Sequence, residues 1–433
     1  ALLCKYGAEV YLITGIGPKR ISYSKRRNLN KNLFNEIFIS DLLKMLQKGS
    51  NYREDFKKDF KYRIDLGIKL LKVIFTILIR NFNFKYKVLT LSEDHKSINV
   101  FDTRLDYVNN IKGFIYSPEI FSICRLKSMR LILNTPKLNI KKNDLDLIIT
   151  SCPLSLKGNN KSTKIIQLIH DAIPIQVWSH PESPITFYNR LKDAHKYSSC
   201  IYVSKQSKKI VRGILNLEID NKDSNDIFYP LPSLTLKNLQ DSFCIPSIRS
   251  IDKPFILFNS SIVERKRVEK TINYFKKSNL IDRNFVLCIA GKIHKSKYSK
   301  LIKKICKENK NIMLLDYVTE IEKVWLFLNS SLLISTSSTE GFGVPILDAL
   351  AINLPTVATN IPTYKEIKSF LPSNNLELLE INEEKKWLEQ LNNIKLFDFQ
   401  KDDNKKERID FFQEFLEKFE EINLNKIKSY LNN

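Results

Sequence analysis

The sequence predicts an α/β fold made of doubly wound, Rossmann-like domains, in which parallel strands carry helices on both faces. Three observations support this prediction. A chain of 433 residues is too long for one ordinary core, so two domains of about 200 residues are expected. A hydrophobic content of 43% with 11% aromatic residues suffices for packed cores and excludes a disordered chain. Short apolar segments also alternate with helical patterns, most regularly in the second half.

The first half contains apolar segments of strand length. The expected strands are AEVYLIT (8–14), KVLTLS (87–92), DLIITS (146–151), KIIQLIHDAIP (164–174) and SSCIYVS (198–204). KQSKKIVRGI (205–214) follows the last strand and has the pattern of a helix. Continuous apolar strands bounded by helices indicate a parallel sheet that is covered on both faces.

The second half alternates more regularly. The expected strands are PFILFNS (254–260), NFVLCIAG (284–291), NIMLLDYV (311–318), LLIST (332–336) and PTVAT (355–359). The expected helices begin at about 266 and cover EIEKVWLFLNSS (320–331), VPILDALAI (344–352) and, near the end, ERIDFFQEFLEKFEEI. This β-α-β-α order is typical of a doubly wound domain.

A polar stretch separates the two halves. Residues 215–250 are rich in Asn, Asp, Ser and Pro, as in a linker, so we place the boundary near 235–250. The predicted domains are 1–240 and 241–408. We expect a C-terminal helix, 409–433, to pack back on the N-terminal domain.

The chain is strongly basic, with a net charge of +23. Residues 1–90 hold 19 Lys and Arg against 7 Asp and Glu. Such a surface attracts phosphates, nucleic acid or anionic lipid, although A/T-biased coding explains a Lys-, Asn- and Ile-rich chain equally well. No zinc pattern, glycine-aromatic strand motif or clear helix-turn-helix accompanies the charge, so we expect no nucleic-acid partner.

Cysteine, histidine and apolar patterns restrict metal and membrane roles. The 7 cysteines contain no CxxC pair and there are only 5 histidines, which predicts free thiols in a reducing cytosol and no metal site. The apolar segment 65–80 is interrupted by Lys69 and Lys72 and is too short to span a membrane. We expect a buried helix there, with an interfacial helix as the alternative.

The chain starts without Met and shows no basic leader or cleavage site, so we expect no signal peptide and an N-terminus that lies upstream.

The stretch STSSTEGFGVPILDAL (335–350) holds two of the 11 glycines. It is predicted to run from a strand through a loop into a helix that has Pro345 in its first turn. Ligands of open α/β sheets bind at this edge, where helix amides can receive a phosphate. Gly341 and Gly343 permit close approach of the backbone. Glu340 and Asp348 can accept hydrogen bonds from ligand hydroxyls in the same crevice.

EGFGVPILDA resembles the EGFGLPxxEA segment of retaining, nucleotide-sugar-dependent glycosyltransferases, in particular the large family 4 with the GT-B fold, in which two Rossmann-like domains face each other across a cleft. The resemblance implies that Glu340 contacts hydroxyls of the donor sugar. It also implies that Asp348, where the family usually has Glu, contacts the nucleotide ribose. The donor-binding residues implied by this segment are Gly341, Phe342, Gly343, Val344 and Asp348.

Two further segments resemble the same family. FILFNSSIVERKRVEKTINYF (255–275) places Arg265 and Lys266 on the family's Arg-Lys pair, with Ser260 where the family has Gly. The resemblance implies that these two cations neutralise a leaving diphosphate without a metal. PTVATNIPTYKEI (355–367) places Thr359 and Asn360 close to the donor.

In the N-terminal half, IIQLIHDAIPI (165–175) resembles the family strand that ends in His-Asp, which implies that His170 contacts the donor sugar. CIYVSKQSKKIV (200–211) resembles the family segment VSxxSKxD. The family's first strand and Gly-rich loop have no counterpart, so the chain resembles a member truncated at its N-terminus. DLD at 144–146 precedes its strand, whereas metal-binding Asp-x-Asp acids follow theirs.

The resemblance implies a retaining, metal-independent hexosyltransferase that needs no cofactor. Its donor would be a GDP-mannose-like or UDP-sugar, and its acceptor a glycan or lipid-linked glycan in cell-surface polysaccharide synthesis. We expect a cytoplasmic protein at the inner face of the membrane, contacting anionic lipid through its basic N-terminal half. A non-catalytic GT-B homologue and a basic nucleic-acid-binding protein are the alternatives.

Overall fold

The structure is a computed structural model of the 433-residue chain. It describes residues 8–14, 39, 43, 83–84, 86–91, 111–117, 120–132, 134–138, 145–158, 164–177, 180–218, 226–243, 251–371, 373–396 and 402–432. The apolar segment 65–80, Asp144 and the start of the chain lie outside these residues.

The secondary structure alternates along the described chain. The strands are β1 (Tyr11–Thr14), β2 (Asn83–Phe84), β3 (Lys87–Thr90), β4 (Gly113–Tyr116), β5 (Lys137–Leu138), β6 (Leu147–Thr150), β7 (Lys157–Gly158), β8 (Lys164–Ile169), β9 (Ser199–Tyr202), β10 (Phe255–Asn259), β11 (Val286–Ala290), β12 (Ile312–Asp316), β13 (Leu332–Ser335), β14 (Thr356–Thr359) and β15 (Leu376–Leu379). The helices are α1 (Ile120–Ser128), α2 (Ile173–Gln176), α3 (Pro184–Tyr197), α4 (Lys205–Ile214), α5 (Leu236–Phe243), α6 (Val268–Lys277), α7 (Lys297–Lys307), α8 (Glu320–Asn329), α9 (Val344–Ala351), α10 (Pro362–Phe370), α11 (Glu384–Asn392) and α12 (Asp402–Asn432).

The chain forms two compact units, residues 1–169 with 181–201 and residues 170–180 with 202–433. They differ from the predicted domains in 170–180 and 202–240, which pack in the second unit. The three-part division of the chain stays a prediction.

The first unit contains short sheets. Strands β1 and β4 pair in parallel, as do β6 and β8, whereas β3 runs antiparallel to β4. The parallel sheet expected for 87–92 is therefore a mixed one, and an antiparallel edge strand is common in such sheets. Helices α1 and α3 are joined by Asn189, whose amide donates to the carbonyl of Ser128 at 2.9 Å.

The second unit is built on one six-stranded sheet in the order β12-β11-β10-β13-β14-β15. All neighbouring strands are parallel. The chain order therefore reverses between β10 and β13, and this switch is where α/β sheets of this order bind ligands. The α/β class with parallel sheets is confirmed.

Apolar side chains explain this sheet. Four of the five residues of β10 are buried and all five of β11, as expected for strands covered on both faces. Helix α5 was not predicted, because Pro and Ser flank it on the sequence. It packs on α8 through residues such as Leu239, which is fully buried. Helix α12 packs on α5, α8 and α9. Among the described helices, none has both the length and the apolar character to cross a membrane.

Candidate active site

A cavity of about 610 Å³ lies within the second unit. It is bounded by the residues that follow β10, β11, β12 and β13, the edge of the sheet where the strand order reverses. Eight of the residues predicted from sequence line it: His170, Arg265, Lys266, Glu340, Gly341, Phe342, Gly343 and Val344. The cavity also contains side chains that the sequence analysis did not assign, among them Lys292, Glu320 and Lys323.

Two loops bring the predicted cations and the predicted acid together. After β10, a 3-10 turn from Glu264 to Lys266 ends at Arg267, whose φ of 49° is left-handed. After β13, Ser338 donates from its backbone N–H at 2.8 Å and from its hydroxyl at 3.0 Å to the carbonyl of Arg265. The loop after β13 is thereby fixed to the loop that carries both cations.

Glu340 is paired with both cations. The ammonium of Lys266 donates to Glu340 Oε1, and Arg265 Nη1 lies 3.3 Å from Glu340 Oε2. Arg265 Nη1 also donates to the carbonyl of Thr339 at 3.0 Å. Lys266 and Glu340 are nearly inaccessible, whereas 22% of the Arg265 side chain is exposed. Arg265 is therefore the member of this group most open to a ligand.

Burial and charge act in opposite directions on this group. Burial alone would raise the pKa of Glu340, but the charges of Lys266 and Arg265 outweigh it and hold that pKa below its ordinary value. Burial lowers the pKa of Lys266, and Glu340 offsets only part of this effect. The carboxylate is therefore ionised at neutral pH, as ion pairing requires.

Both glycines of the loop sit where a side chain has no space. A Cβ on Gly341 would lie 2.9 Å from the Asp171 carboxylate and from the carbonyl of His170. Gly343 has a φ of +107°, and a Cβ there would lie 2.5 Å from the ring of Tyr364. Contacts of this length force either the loop or its neighbours to shift, so the positions on either side of Phe342 favour glycine.

The segment His170–Asp171 is fixed against this loop by helix α4. Ser207 Oγ lies 2.8 Å from the carbonyl of His170 and 2.9 Å from that of Gly341, and Ser204 Oγ donates to Gly341 at 2.8 Å. Both serines belong to segment 200–211, which resembles the family, but neither was predicted to have a role in the site. The sequence feature that could have identified them is the Ser-x-x-Ser spacing of a helix N-terminus, in which the hydroxyl of Ser204 accepts a hydrogen bond from the N–H of Ser207.

Asp171 lies just before the short helix α2, whose N-cap residue is Ala172. Its Oδ1 accepts a hydrogen bond of 2.9 Å from the N–H of Ile173. Burial raises the pKa of Asp171, against the effect of that bond and of the Arg265 charge. The carboxylate lines the cavity beside His170.

Asp348 lies behind the cavity wall. It is 1% exposed, and its carboxylate accepts from the N–H of Ser233 at 2.6 Å and from its hydroxyl at 2.5 Å. Lys323 donates to the same hydroxyl at 3.0 Å and to Glu320 at 2.6 Å. Burial raises the pKa of Asp348 in spite of these partners. Its side chain thus connects to the cavity through Ser233 and Lys323, and its contact with a ribose stays a prediction.

Thr359 and Asn360 also lie outside the lining. Thr359 is buried, and its hydroxyl donates to the carbonyl of Ser337 at 2.5 Å, which supports the loop after β13. Asn360 donates to Glu380 at 2.7 Å. Within the described part of the chain, no three His, Cys, Asp or Glu side chains are grouped as metal ligands would be.

Comparison with known proteins agrees with the motifs. Residues 246–369 match the profile of the family Glycosyl transferases group 1. This range spans β10 to α10 and includes the two loops of the cavity. The match supports the resemblance to glycosyltransferases for this part of the chain. No curated protein matches the sequence.

Several solved structures are similar at low identity. TarM from S. aureus, crystallised with Fondaparinux, alpha-GlcNAc-glycerol and UDP, has a TM-score of 0.46 and 16% identity over 74% of this chain and 60% of that chain. HepE from Anabaena with UDP-glucose has a TM-score of 0.45 and 13% identity over 67% of this chain and 79% of that chain. Sucrose-phosphate synthase from Thermosynechococcus elongatus has a TM-score of 0.46 and 13% identity over 67% of this chain and 74% of that chain. The chain thus spans about three fifths of the length of TarM.

Proposed function

We propose that this chain is a retaining glycosyltransferase of family 4 with the GT-B fold, which transfers a sugar from a nucleoside-diphosphate sugar to a hydroxyl acceptor. The grouping of Arg265, Lys266 and Glu340 in one cavity carries the proposal. It combines cations for a diphosphate with a carboxylate for sugar hydroxyls.

The leaving group explains the cations. When the bond between the anomeric carbon and the phosphate oxygen breaks, negative charge accumulates on the diphosphate. Arg265 and Lys266 are already in place, so they stabilise that charge without reorganisation. The first amides of α9, at the same wall of the cavity, add a positive helix dipole. These groups supply the role that a metal has in other transferases.

The acceptor reacts on the face that the diphosphate leaves. The acceptor oxygen bonds to the anomeric carbon, and its proton passes to the departing phosphate oxygen, so the configuration is retained. Glu340 and His170 orient the sugar, while Gly341, Phe342, Gly343 and Val344 form the wall beside it. The work of the protein is positioning and electrostatic stabilisation.

The resemblance to the family supports the proposed acceptor, and the charge of the chain supports the proposed location. We propose a glycan or lipid-linked glycan acceptor, as in cell-surface polysaccharide synthesis. The 19 basic residues among the first 90 would attract the chain to an anionic membrane surface. The site of action is then the cytoplasmic face of the membrane, with a GDP-mannose-like or UDP-sugar as donor.

The test is a calorimetric titration with UDP, GDP, ADP and dTDP, with and without EDTA. Wild type should bind one nucleotide in the micromolar range whether or not EDTA is present, and Lys266→Ala should lose most of that affinity. Lys277→Ala is the matched control, because Lys277 forms an exposed ion pair with Glu384 and does not line the cavity. The anomeric configuration of the product, read by NMR, tests retention.

Other outcomes would support the alternatives. Nucleotide binding without turnover of any sugar donor would indicate a non-catalytic homologue. No nucleotide binding, together with a salt-sensitive gel shift, would favour a nucleic-acid-binding protein.

A further inference from the structure

We propose that Tyr364 is a positioning residue for this transfer: its hydroxyl orients the Glu340 carboxylate, and its ring fixes the loop that carries Glu340. This inference rests on the proposed function and assigns a role to a residue that the sequence motifs leave unassigned.

Tyr364 contacts the loop after β13 at its start, middle and end. It lies on α10 and is 1% exposed. Its hydroxyl oxygen lies 2.9 Å from Ser335 Oγ and 3.3 Å from Glu340 Oε1. Its ring occupies the space in which Gly343 would carry a side chain. One side chain therefore contacts the end of β13, the acid of the loop and the residue before α9.

The chemistry of the partners sets the direction of these hydrogen bonds. An ionised carboxylate only accepts, so the phenol donates to Glu340 and accepts from the hydroxyl of Ser335. Burial, together with the negative charge of Glu340, raises the pKa of Tyr364 well above its ordinary value. The phenol therefore remains a donor throughout the pH range in which proteins work.

A neutral donor has a function that the cations cannot supply. Lys266 and Arg265 hold Glu340 by charge, but a bound diphosphate competes for both of them. The hydroxyl of Ser337 also bonds to Glu340, yet Ser337 belongs to the same loop and would move with it. Tyr364 donates from a separate helix, so it keeps the carboxylate directed at the sugar while the cations engage the phosphates.

The variant Tyr364→Phe should have different effects on nucleotide binding and on turnover. The ring remains, so the loop and the affinity for a nucleoside diphosphate should stay within about twofold of wild type. The orientation of Glu340 is lost, so turnover of a sugar donor should fall about tenfold to a hundredfold, as for a lost hydrogen bond to a charged group. Loss of a donor to the carboxylate also raises the pKa of Glu340, which should move the acid limb of the kcat/KM profile to higher pH.

Tyr274→Phe is the matched control. Tyr274 is 2% exposed, and its hydroxyl donates to the carbonyl of Ile381, outside the cavity lining. The same atom is removed from an equally buried ring. A general loss of stability would therefore affect both variants alike, whereas a change in the pH profile should appear only in Tyr364→Phe.

The experiment measures binding of UDP and GDP and hydrolysis of UDP-glucose, UDP-GlcNAc and GDP-mannose as a function of pH for wild type and both variants. Retained nucleotide affinity with reduced turnover and a shifted acid limb, in Tyr364→Phe alone, is the expected result. If the Tyr364→Phe variant has the same turnover and pH profile as the Tyr274→Phe variant, the role of Tyr364 is overturned, but the proposed function is not. A wild type that hydrolyses none of the three donors would overturn the proposed catalysis, and the role of Tyr364 with it.

Discussion

Lys266 and Glu340 form an ion pair whose side chains are only 6% and 10% exposed. Removing Lys266 takes away one of the two cations that compensate this buried carboxylate and leaves Arg265, at 3.3 Å, as the other. We therefore expect Lys266→Met to lower the free energy of unfolding by about 1–3 kcal/mol, measured by urea denaturation at pH 7.

The control is the exposed pair Lys277–Glu384, with side chains 49% and 42% exposed. Lys277→Met should cost less than about 1 kcal/mol. Combining Lys266→Met with Glu340→Gln should recover part of the loss, because the buried charge of Glu340 is then removed and the remaining charge of Arg265 is partly exposed. Equal losses from the two single lysine variants would contradict the buried pair.

The same pair predicts a pH dependence of stability. The cations hold the pKa of Glu340 below its ordinary value although burial opposes them. The carboxylate therefore contributes stability that is fully present above the unfolded pKa of about 4.3 and is lost as pH falls through the lower folded pKa. Urea titrations between pH 7 and pH 3 should show the gap between wild type and Glu340→Gln closing on acidification. A gap that stays constant over this range would rule out the lowered pKa.

Gly341 and Gly213 provide a contrasting pair. A Cβ on Gly341 would meet Asp171 and the carbonyl of His170 at 2.9 Å, whereas nothing lies within 4 Å of a Cβ on Gly213. Gly341→Ala should displace the loop and weaken nucleotide binding by more than tenfold, measured by calorimetry. Gly213→Ala, inside helix α4, should leave binding unchanged and raise stability by about 0.4–1 kcal/mol. Unchanged binding in Gly341→Ala would show that the loop tolerates the side chain.

Much of the second unit could be predicted because the information is local. The apolar runs that became β10 and β11 are continuous in the sequence, and this pattern indicates parallel strands buried on both faces. The motif from Glu340 to Val344 lies between the end of β13 at Ser335 and the start of α9, so its place at the ligand edge of the sheet also follows from local sequence.

The surroundings of the site could not be predicted because they depend on distant segments. Ser233 donates a hydrogen bond to the carboxylate of Asp348, which is 115 positions away in the sequence. Ser207 donates to the carbonyl of Gly341, which is 134 positions away. A motif identifies an acid, but only the packed chain shows whether another segment covers it. That is why Glu340 lines the cavity whereas Asp348 does not.

Ser233 binds the buried carboxylate of Asp348 through both its N–H and its hydroxyl. Its hydroxyl lies between Asp348 at 2.5 Å and Lys323 at 3.0 Å, so Ser233→Ala removes a donor from a fully buried carboxylate. We expect a loss of about 1–3 kcal/mol in the free energy of unfolding, measured by urea denaturation. Ser338→Ala is the control, because the hydroxyl of Ser338 donates to a carbonyl that the N–H of Ser338 also reaches. A Ser233→Ala loss no greater than that of Ser338→Ala would contradict the role of this hydroxyl.

Arg408 connects the C-terminal helix to the sheet through helix α8. It is 6% exposed, and its Nη1 donates to the carbonyls of Phe327, Leu328 and Ser330 at 2.8–3.2 Å. These carbonyls lie at the end of α8, where the helix itself provides no donors and a positive charge is favoured. Arg408→Met should therefore lower the free energy of unfolding by about 2–3 kcal/mol.

Arg408→Lys separates charge from geometry in this contact. The ammonium keeps the positive charge near the end of α8, but it lacks the planar fork of the guanidinium. We expect an intermediate loss of stability in chemical denaturation, because an ammonium on a flexible stem does not reproduce the fixed position from which Nη1 reaches the three carbonyls. A Met variant as stable as wild type would show that α12 is held by its apolar contacts alone. A Lys variant as unstable as the Met variant would show that the fork, and not the charge, stabilises the end of α8.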